Sequence, residues 1–261
     1  MEKKHSEYLQ HIDQMVSDVQ IEENATKITP FGKFKLNPCN LWLPVSYPGF
    51  TLITPTFEHD KENNVPFLRL CEAQRFLKLF NSMKLAPAPT SAFHMTIARL
   101  ISGDEYKNKL TVRKEALFLD TFHKLFNHSA FSGTLTMEIK GLSVFPQGVI
   151  AAMVSPTSEE TYSRLQHFRN FIYGNEVLVS LGVERKRSFS GHITLAYIED
   201  DLSSDEKTVL ADLVTKINKI CFSKPLRYII NQAEIRKFND FSRFYRDEHW
   251  PVYLFSRHRK S

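Results

Sequence analysis

A seven-residue pattern that occurs twice constrains the fold of this chain more than any other feature of its sequence. Residues 94–100 (the first motif) and 192–198 (the second motif) both read His-apolar-Thr-apolar-Ala-x-apolar. Side chains alternate between the two faces of a strand, so each motif puts its His, Thr and Ala on one face and its apolar residues on the other. Each motif therefore predicts a strand with a core on one side and a wet cleft on the other.

The two motifs lie in two halves of the chain that have the same order of elements. Strand, helix, motif strand and helix follow one another over about 31–128 and again over about 133–238. This repeat predicts two similar α+β lobes that face a shared cleft. Residues 1–28 have apolar side chains at helical spacing, which predicts an amphipathic helix packed on the main body. We therefore expect an N-terminal helical appendage, 1–28, and one bilobal domain, 29–261.

Hydrophobic periodicity and turn residues locate the other elements. Helices are predicted at 67–83, 112–127 and 158–173 and after the capping box of Ser203 and Glu206, and strands at 50–54, 134–140, 149–154 and 226–238. The Pro-Gln-Gly turn at 146–148 is expected to join two of these strands as a hairpin.

Charge and cysteine content limit the partners and the compartment. The net charge of +5 fits an anionic substrate. The three cysteines are odd in number and far apart in sequence, with no Cys-x-x-Cys pair, which favours a reducing, cytoplasmic location. No apolar run has the length of a secretory signal or a membrane span, so we expect no membrane partner.

The paired histidines suit proton transfer. If the lobes face each other, His94 and His192 lie across the cleft, where one neutral imidazole takes a proton and one imidazolium gives a proton. The hydroxyls of Thr96 and Thr194 lie beside them and can donate hydrogen bonds to phosphate oxygens as charge develops. Ala98 and Ala196, expected on the same face, would leave room for a substrate. The pattern therefore indicates phosphodiester cleavage without a metal.

Longer stretches around the motifs resemble a known superfamily. Residues 47–51 (Tyr-Pro-Gly-Phe-Thr), 88–96 and 189–197 are similar to a poorly characterised branch of the 2H phosphoesterases, which include RNA 2′,3′-cyclic phosphodiesterases and the so-called 2′-5′ RNA ligases. The resemblance implies two pseudo-symmetric antiparallel-sheet lobes with outer helices around a central cleft. It also implies a phosphoric diester hydrolase whose substrate carries a 2′,3′-cyclic phosphate, a cyclic nucleotide or a 2′-5′ linkage.

Five further residues are candidates for substrate binding: Tyr47, Ser190, Arg243, Tyr245 and Trp250. Aromatic rings can stack on a base while an arginine holds a phosphate, and Ser190 has the same strand parity as His192. The late aromatic and basic stretch can equally form a surface loop that seals one lobe. The basic run at 185–187 can steer an anion toward the second motif or can simply be solvated.

Two alternatives to this hydrolase were weighed. A metal enzyme is disfavoured because no two histidines have the His-x-x-x-His spacing of a helical metal site, so we predict no metal and no cofactor. The other alternative is a non-catalytic RNA or nucleotide-binding module that uses the same cleft. In both cases the predicted partner is a nucleotide, a cyclic nucleotide or an oligonucleotide, with no obligate protein partner evident.

Overall fold

The structure, a computed structural model, describes residues 2–129 and 131–255, so the end of the predicted domain, 256–261, lies outside it. The described chain alternates helices and strands. The helices are α1 (His5–Met15), α2 (Asp18–Thr26), α3 (Asn64–Leu77), α4 (Asp104–Lys109), α5 (Val112–His128), α6 (Glu159–Tyr173), α7 (Glu176–Ser180) and α8 (Ser204–Cys221), with a 3₁₀ turn at Thr90–Ala92. The strands are β1 (Phe34–Leu36), β2 (Trp42–Pro44), β3 (Gly49–Ile53), β4 (Leu85–Pro87), β5 (Thr96–Ser102), β6 (Leu135–Phe145), β7 (Val149–Pro156), β8 (His192–Ile198), β9 (Leu226–Ile230), β10 (Gln232–Phe238) and β11 (Val252–Leu254).

The strands form antiparallel sheets, as an α+β fold requires. A four-stranded sheet has the order β11-β10-β3-β5, a five-stranded sheet has the order β4-β8-β7-β6-β9, and β1 and β2 form a separate pair. The first motif therefore lies on the edge strand of one sheet, and the second motif lies inside the other. Among the described residues, no helix is long and apolar enough to cross a membrane.

The two large sheets do not coincide with the two halves of the chain. The predicted strand at 226–238 is two strands, because the chain leaves β9 at Ile230 and enters β10 at Gln232 in the other sheet. Asn231 lies at this crossing, where its side chain accepts a hydrogen bond from Thr134. Conversely, β4, which belongs to the first half of the chain, pairs with β8 of the second half. The predicted halves 31–128 and 133–238 thus exchange strands.

Several predicted elements are confirmed. The turn at 146–148 joins β6 and β7 as a hairpin, and Gly148 takes the positive φ of 76° that such a turn needs. The capping box is present at the start of α8, where Ser203 Oγ accepts from the Glu206 amide and the Glu206 carboxylate accepts from the Ser203 amide. The predicted helices at 112–127 and 158–173 are α5 and α6.

The prediction of a helix at 67–83 is wrong at its C-terminal end. The helix, α3, ends at Leu77, and Asn81 then fixes a turn. The Asn81 side chain accepts from the Met83 amide, and its carbonyl accepts from the Lys84 amide. Because Asn side chains compete with helical hydrogen bonds in this way, the apolar periodicity continues past the point where the helix stops.

The N-terminal segment is part of the hydrophobic core. It contains two helices, because Ser17 Oγ accepts from the Gln20 amide and starts α2 directly after α1. The apolar face of α1 buries Tyr8, Ile12 and Met15 in the same core cluster that contains residues of both large sheets. The single helix predicted over 1–28 is therefore two helices in the described part of this segment, and their apolar faces are buried in the core.

Candidate active site

The two motifs meet where the two large sheets meet. Met95 and Ile193, which hold the same place in the two motifs, form an isolated antiparallel bridge. Met95 lies just before β5, and Ile193 lies in β8. The bridge brings His94 and His192 to one cleft between the sheets.

All four motif residues predicted to be catalytic line this cleft, a cavity of about 470 Å³: His94, Thr96, His192 and Thr194. Tyr47 and Ser190 line it as well. The Ser190 hydroxyl is buried and has no hydrogen-bond partner in the described chain.

Three other predicted binding residues lie elsewhere. Arg243 and Tyr245 line a separate cavity of about 510 Å³. Trp250 packs between Phe50 and Tyr245, with ring centroids 5.4 Å and 6.3 Å away. The structure therefore does not place Arg243, Tyr245 or Trp250 among the described residues that line the cleft.

The two histidines make the same hydrogen bond. His94 Nδ1 lies 2.7 Å from the Ala92 carbonyl oxygen, and His192 Nδ1 lies 2.8 Å from the Ser190 carbonyl oxygen. A carbonyl oxygen only accepts, so in each ring Nδ1 carries the proton and donates it. Each neutral ring therefore keeps its Nε2 lone pair free for proton transfer.

Desolvation lowers the pKa of both histidines. The pKa of His94 is lowered to about 4, mainly by desolvation; the hydrogen bond to the Ala92 carbonyl opposes this shift, and nearby His192 and Arg236 add to it. For His192 the cause is again desolvation, opposed by the hydrogen bond to the Ser190 carbonyl. The Phe244 ring lies 4.3 Å from the His94 ring, centroid to centroid. At neutral pH the cleft of the free protein therefore holds two neutral imidazoles.

A bulge in each motif strand changes which residues face the cleft. Between β3 and β5 the register skips Ile97, and between β7 and β8 it skips Leu195. An extra residue shifts the alternation of side chains along the strand. The expectation that Ala98 and Ala196 face the cleft is therefore wrong.

Those two alanines are fully buried, and the residue after each lines the cleft instead. These are Arg99 in the first motif and Tyr197 in the second. Both lie five residues after their histidine, so the two bulges are equivalent. Sequence alternation alone assigns Tyr197 to the opposite face.

Aromatic side chains from the end of β10 and from the segment after it form one wall of the cleft. Phe238, Phe241 and Phe244 all line it. Phe241 stacks on Tyr47 with ring centroids 5.3 Å apart and contacts Phe31 edge-on at 5.2 Å. Phe31 in turn stacks on Tyr197 at 4.7 Å. The sequence analysis missed this wall, although the spacing of these phenylalanines at every third residue is visible in the sequence.

A buried ion pair connects the two motif strands. Arg169 Nη1 donates to the carbonyl of Ile97, the bulged residue of the first motif. Its Nη2 lies 3.1 Å from Glu2 Oε1, and Glu2 Oε2 accepts from the Phe189 amide at 2.7 Å, just before the second motif. Arg169 also lines the cleft. Glu2 and Arg169 therefore link the segment just before the second motif to the strand of the first motif.

A buried tyrosine supports each motif from behind. The Tyr8 hydroxyl donates to the Val154 carbonyl and accepts from the Gly191 amide, both at 2.9 Å. On the other motif, the Tyr228 hydroxyl donates to Thr54 Oγ1, which accepts from the Met95 amide at 3.0 Å. Both tyrosines are fully buried.

Metal-ligating residues do not cluster in the part of the chain that the structure describes. Over residues 2–129 and 131–255, no group of three or more His, Cys, Asp or Glu side chains has the geometry to hold a metal ion.

Comparisons with known proteins bear on the fold. No family model matches the chain, and no curated protein matches it. A solved structure of a conserved protein of unknown function from Agrobacterium tumefaciens strain C58, ATU0111, is similar with a TM-score of 0.55 and 17% sequence identity, covering 77% of this chain and 84% of that one. TT0787 of Thermus thermophilus has a TM-score of 0.46 and 17% identity over 72% of this chain and 86% of that one. The likeness to ATU0111 is a likeness of fold.

Proposed function

We propose that this chain is a metal-independent phosphodiesterase of the 2H type, which cleaves a nucleotide or oligonucleotide phosphodiester with two histidines. The observation that carries the proposal is the matched pair of imidazoles. Each has Nδ1 bonded to the carbonyl two residues earlier and lines the same cleft. Such a pair supplies one general base and one general acid.

The proposal includes a local two-fold relation between the motifs. Three features support it: Met95 bridges its counterpart Ile193, both motif strands bulge at the third residue after the histidine, and both histidines make the same hydrogen bond. We propose on these grounds that the cleft is the centre of a bilobal, pseudo-symmetric fold.

The chemistry follows from the protonation states. The negative charge of a bound phosphodiester favours the imidazolium form and raises the pKa of the histidine beside the leaving oxygen. The other histidine, still neutral, takes a proton from water or from a ribose 2′-hydroxyl as that oxygen attacks phosphorus. The P–O bond to the leaving ribose oxygen breaks, and the imidazolium protonates that oxygen. Thr96 and Thr194 donate to the non-bridging oxygens, where charge grows.

The experiment is a substrate panel in excess EDTA. Cyclic 2′,3′-phosphates, cyclic dinucleotides and 2′-5′ dinucleotides are incubated with the wild-type protein and with His94→Ala and His192→Ala. We expect turnover of at least one substrate by the wild type and none by either variant. Complete loss of activity in EDTA, restored by a divalent metal, contradicts the two-histidine mechanism. Equal binding of a product nucleotide by all three proteins without turnover supports the binding module instead.

We also propose a cytoplasmic location. All three cysteines, Cys39, Cys71 and Cys221, are free thiols in the structure. Free thiols persist in a reducing compartment, whereas secreted proteins pair theirs.

A further inference from the structure

The cleft has an excess of positive charge. Among its described lining residues, five carry a cationic side chain and one carries a carboxylate: Lys33, Arg99, Arg169, Lys186 and Arg187 against Glu184. Two of the cations are already paired, Arg169 with Glu2 and Lys186 with Glu105. In the described chain, Lys33, Arg99 and Arg187 have no carboxylate oxygen within 4.0 Å. A concave site with unpaired cations attracts anions.

Two of these cations meet at Tyr47. Arg99 Nη2 lies 3.1 Å from the Tyr47 hydroxyl, and Lys33 Nζ lies 4.3 Å from the centre of the Tyr47 ring. Ser102 Oγ lies 3.3 Å from the same hydroxyl. We call these four residues, Lys33, Tyr47, Arg99 and Ser102, the cationic corner of the cleft.

In the cationic corner the Tyr47 ring is held by packing, and hydrogen-bond donors remain free. Phe241 stacks on Tyr47, and the missing side chain of Gly103 leaves the space for its ring, because a Cβ there would lie 2.8 Å from Tyr47 Cε2. The Tyr47 hydroxyl accepts from Arg99 and Ser102, so its own proton is free to donate. A guanidinium, an ammonium and a hydroxyl are the donors that proteins use for phosphate.

The position of the cationic corner on β5 determines how far a phosphate bound there lies from the phosphate that is cleaved. Arg99 lies three residues beyond Thr96 on β5, but Ile97 between them is the bulged residue. The two residues therefore pair with Thr51 and Ile53, which are two residues apart on β3, and at a strand rise of about 3.3 Å per residue this is roughly 7 Å along the cleft. That distance leaves room for one ribose between a phosphate at Thr96 and a phosphate at Arg99. The equivalent residue of the second motif is Tyr197, which is uncharged, so the two motifs differ in charge at this position.

We propose that the cationic corner is a subsite for a second phosphate, one nucleotide away from the phosphodiester that is cleaved. The identity of the cleaved group rests on the proposed function. The substrate is then a 5′-phosphorylated nucleotide or an oligonucleotide, with at least two phosphates, and it binds with its second phosphate at Arg99. This contact fixes the direction in which the nucleotide substrate lies between the two matched histidines.

The test compares the binding of two probes that differ by one phosphate. Adenosine 2′-phosphate and adenosine 2′,5′-bisphosphate are titrated into the wild-type protein by calorimetry at low salt. We expect the bisphosphate to bind at least about tenfold more tightly, because its second phosphate adds a charge-assisted hydrogen bond to Arg99. The advantage should shrink at high salt because the added contact is ionic.

Variants locate the contact. Arg99→Gln should reduce the bisphosphate advantage to less than about threefold, and Lys33→Gln should reduce it partly. Arg99 is exposed, so the fold should tolerate its substitution. Lys35→Gln is the matched control, because Lys35 is an exposed lysine two residues from Lys33 that does not line the cleft. It should leave both affinities unchanged.

Two results overturn this subsite. The first is equal affinity of the wild type for both probes, including no binding of either. The second is that Lys35→Gln and Arg99→Gln change the bisphosphate advantage by the same amount. Turnover separates it from the proposed function. Hydrolysis of cyclic phosphates without a bisphosphate advantage in binding supports the enzyme and overturns the subsite. A bisphosphate advantage that depends on Arg99, without turnover of any substrate, supports the subsite and contradicts the enzyme.

Discussion

The first and second motifs present their histidines in the same way but have different surroundings. In each, Nδ1 is bonded to the carbonyl two residues earlier, and a bulge follows at the third residue after the histidine. Around the first motif lie Arg99 and Phe244, and around the second lie Tyr197 and Phe145. In the proposed mechanism, the shared parts are those that move protons, and the different parts are those that contact the rest of the substrate.

The supports behind the motifs differ as well. The first motif is held by Thr54, just after β3, and by Tyr228 of β9, and the second is held by Tyr8 from α1. The same backbone geometry around a motif histidine is therefore stabilised by unrelated parts of the chain.

The largest expected effect is on turnover. His94→Ala and His192→Ala should each lower kcat by about 10²–10⁴-fold, because each removes one of two proton-transfer groups. The losses should be similar for the two motifs. The measurement is steady-state hydrolysis of the best substrate in EDTA, with thermal unfolding as the control for folding. A variant that keeps near wild-type kcat removes its histidine from the chemistry.

The pH dependence should reveal the lowered pKa values. The reactive form has one protonated and one neutral imidazole, and in the free protein both pKa values lie below 6.5, that of His94 at about 4. The profile of kcat/KM should therefore peak below pH 6.5 and fall about tenfold per pH unit above it. A bound phosphate anion raises the pKa of the acid, so the same fall in kcat should come at higher pH. An optimum of kcat/KM above pH 7 would contradict this account.

A smaller effect, on the free energy of unfolding, distinguishes Tyr8 from Tyr228. Tyr8→Phe removes a hydroxyl that bonds both the Gly191 amide and the Val154 carbonyl, and it should destabilise the fold by about 1–3 kcal/mol. Tyr228→Phe removes one bond to Thr54, which still accepts from the Met95 amide, so about 1 kcal/mol is expected. Urea unfolding of both variants measures the difference. Equal losses would show that the two supports are equivalent.

Local patterns predicted the site more fully than its surroundings. Strand alternation correctly placed His94 and Thr96 on the cleft face because they precede the bulge. It failed at Ala98, since Ile97 is an ordinary strand residue and nothing in its identity marks it as the extra one. The equivalent failure in the second motif has the same cause.

Contacts between distant parts of the chain were beyond sequence reasoning. The helical pattern of residues 1–28 predicted packing, but it contains no sign that Tyr8 bonds Gly191, which is 183 residues away. The strand pattern at 226–238 has no marker for a change of sheet. In the segment before β11 the irregular backbone has no fixed parity. The sequence therefore predicts Arg243 as a binding residue, whereas Phe241 and Phe244 line the cleft.

The most direct test of the central claim is a double-mutant cycle on the two histidines. The kcat values of His94→Ala, His192→Ala and the double variant are measured against the wild type with one phosphodiester substrate in EDTA. If the two imidazoles act as one acid–base pair, the double variant should lose about as much kcat as either single variant. Losses that multiply would show that the histidines act independently and would contradict the account.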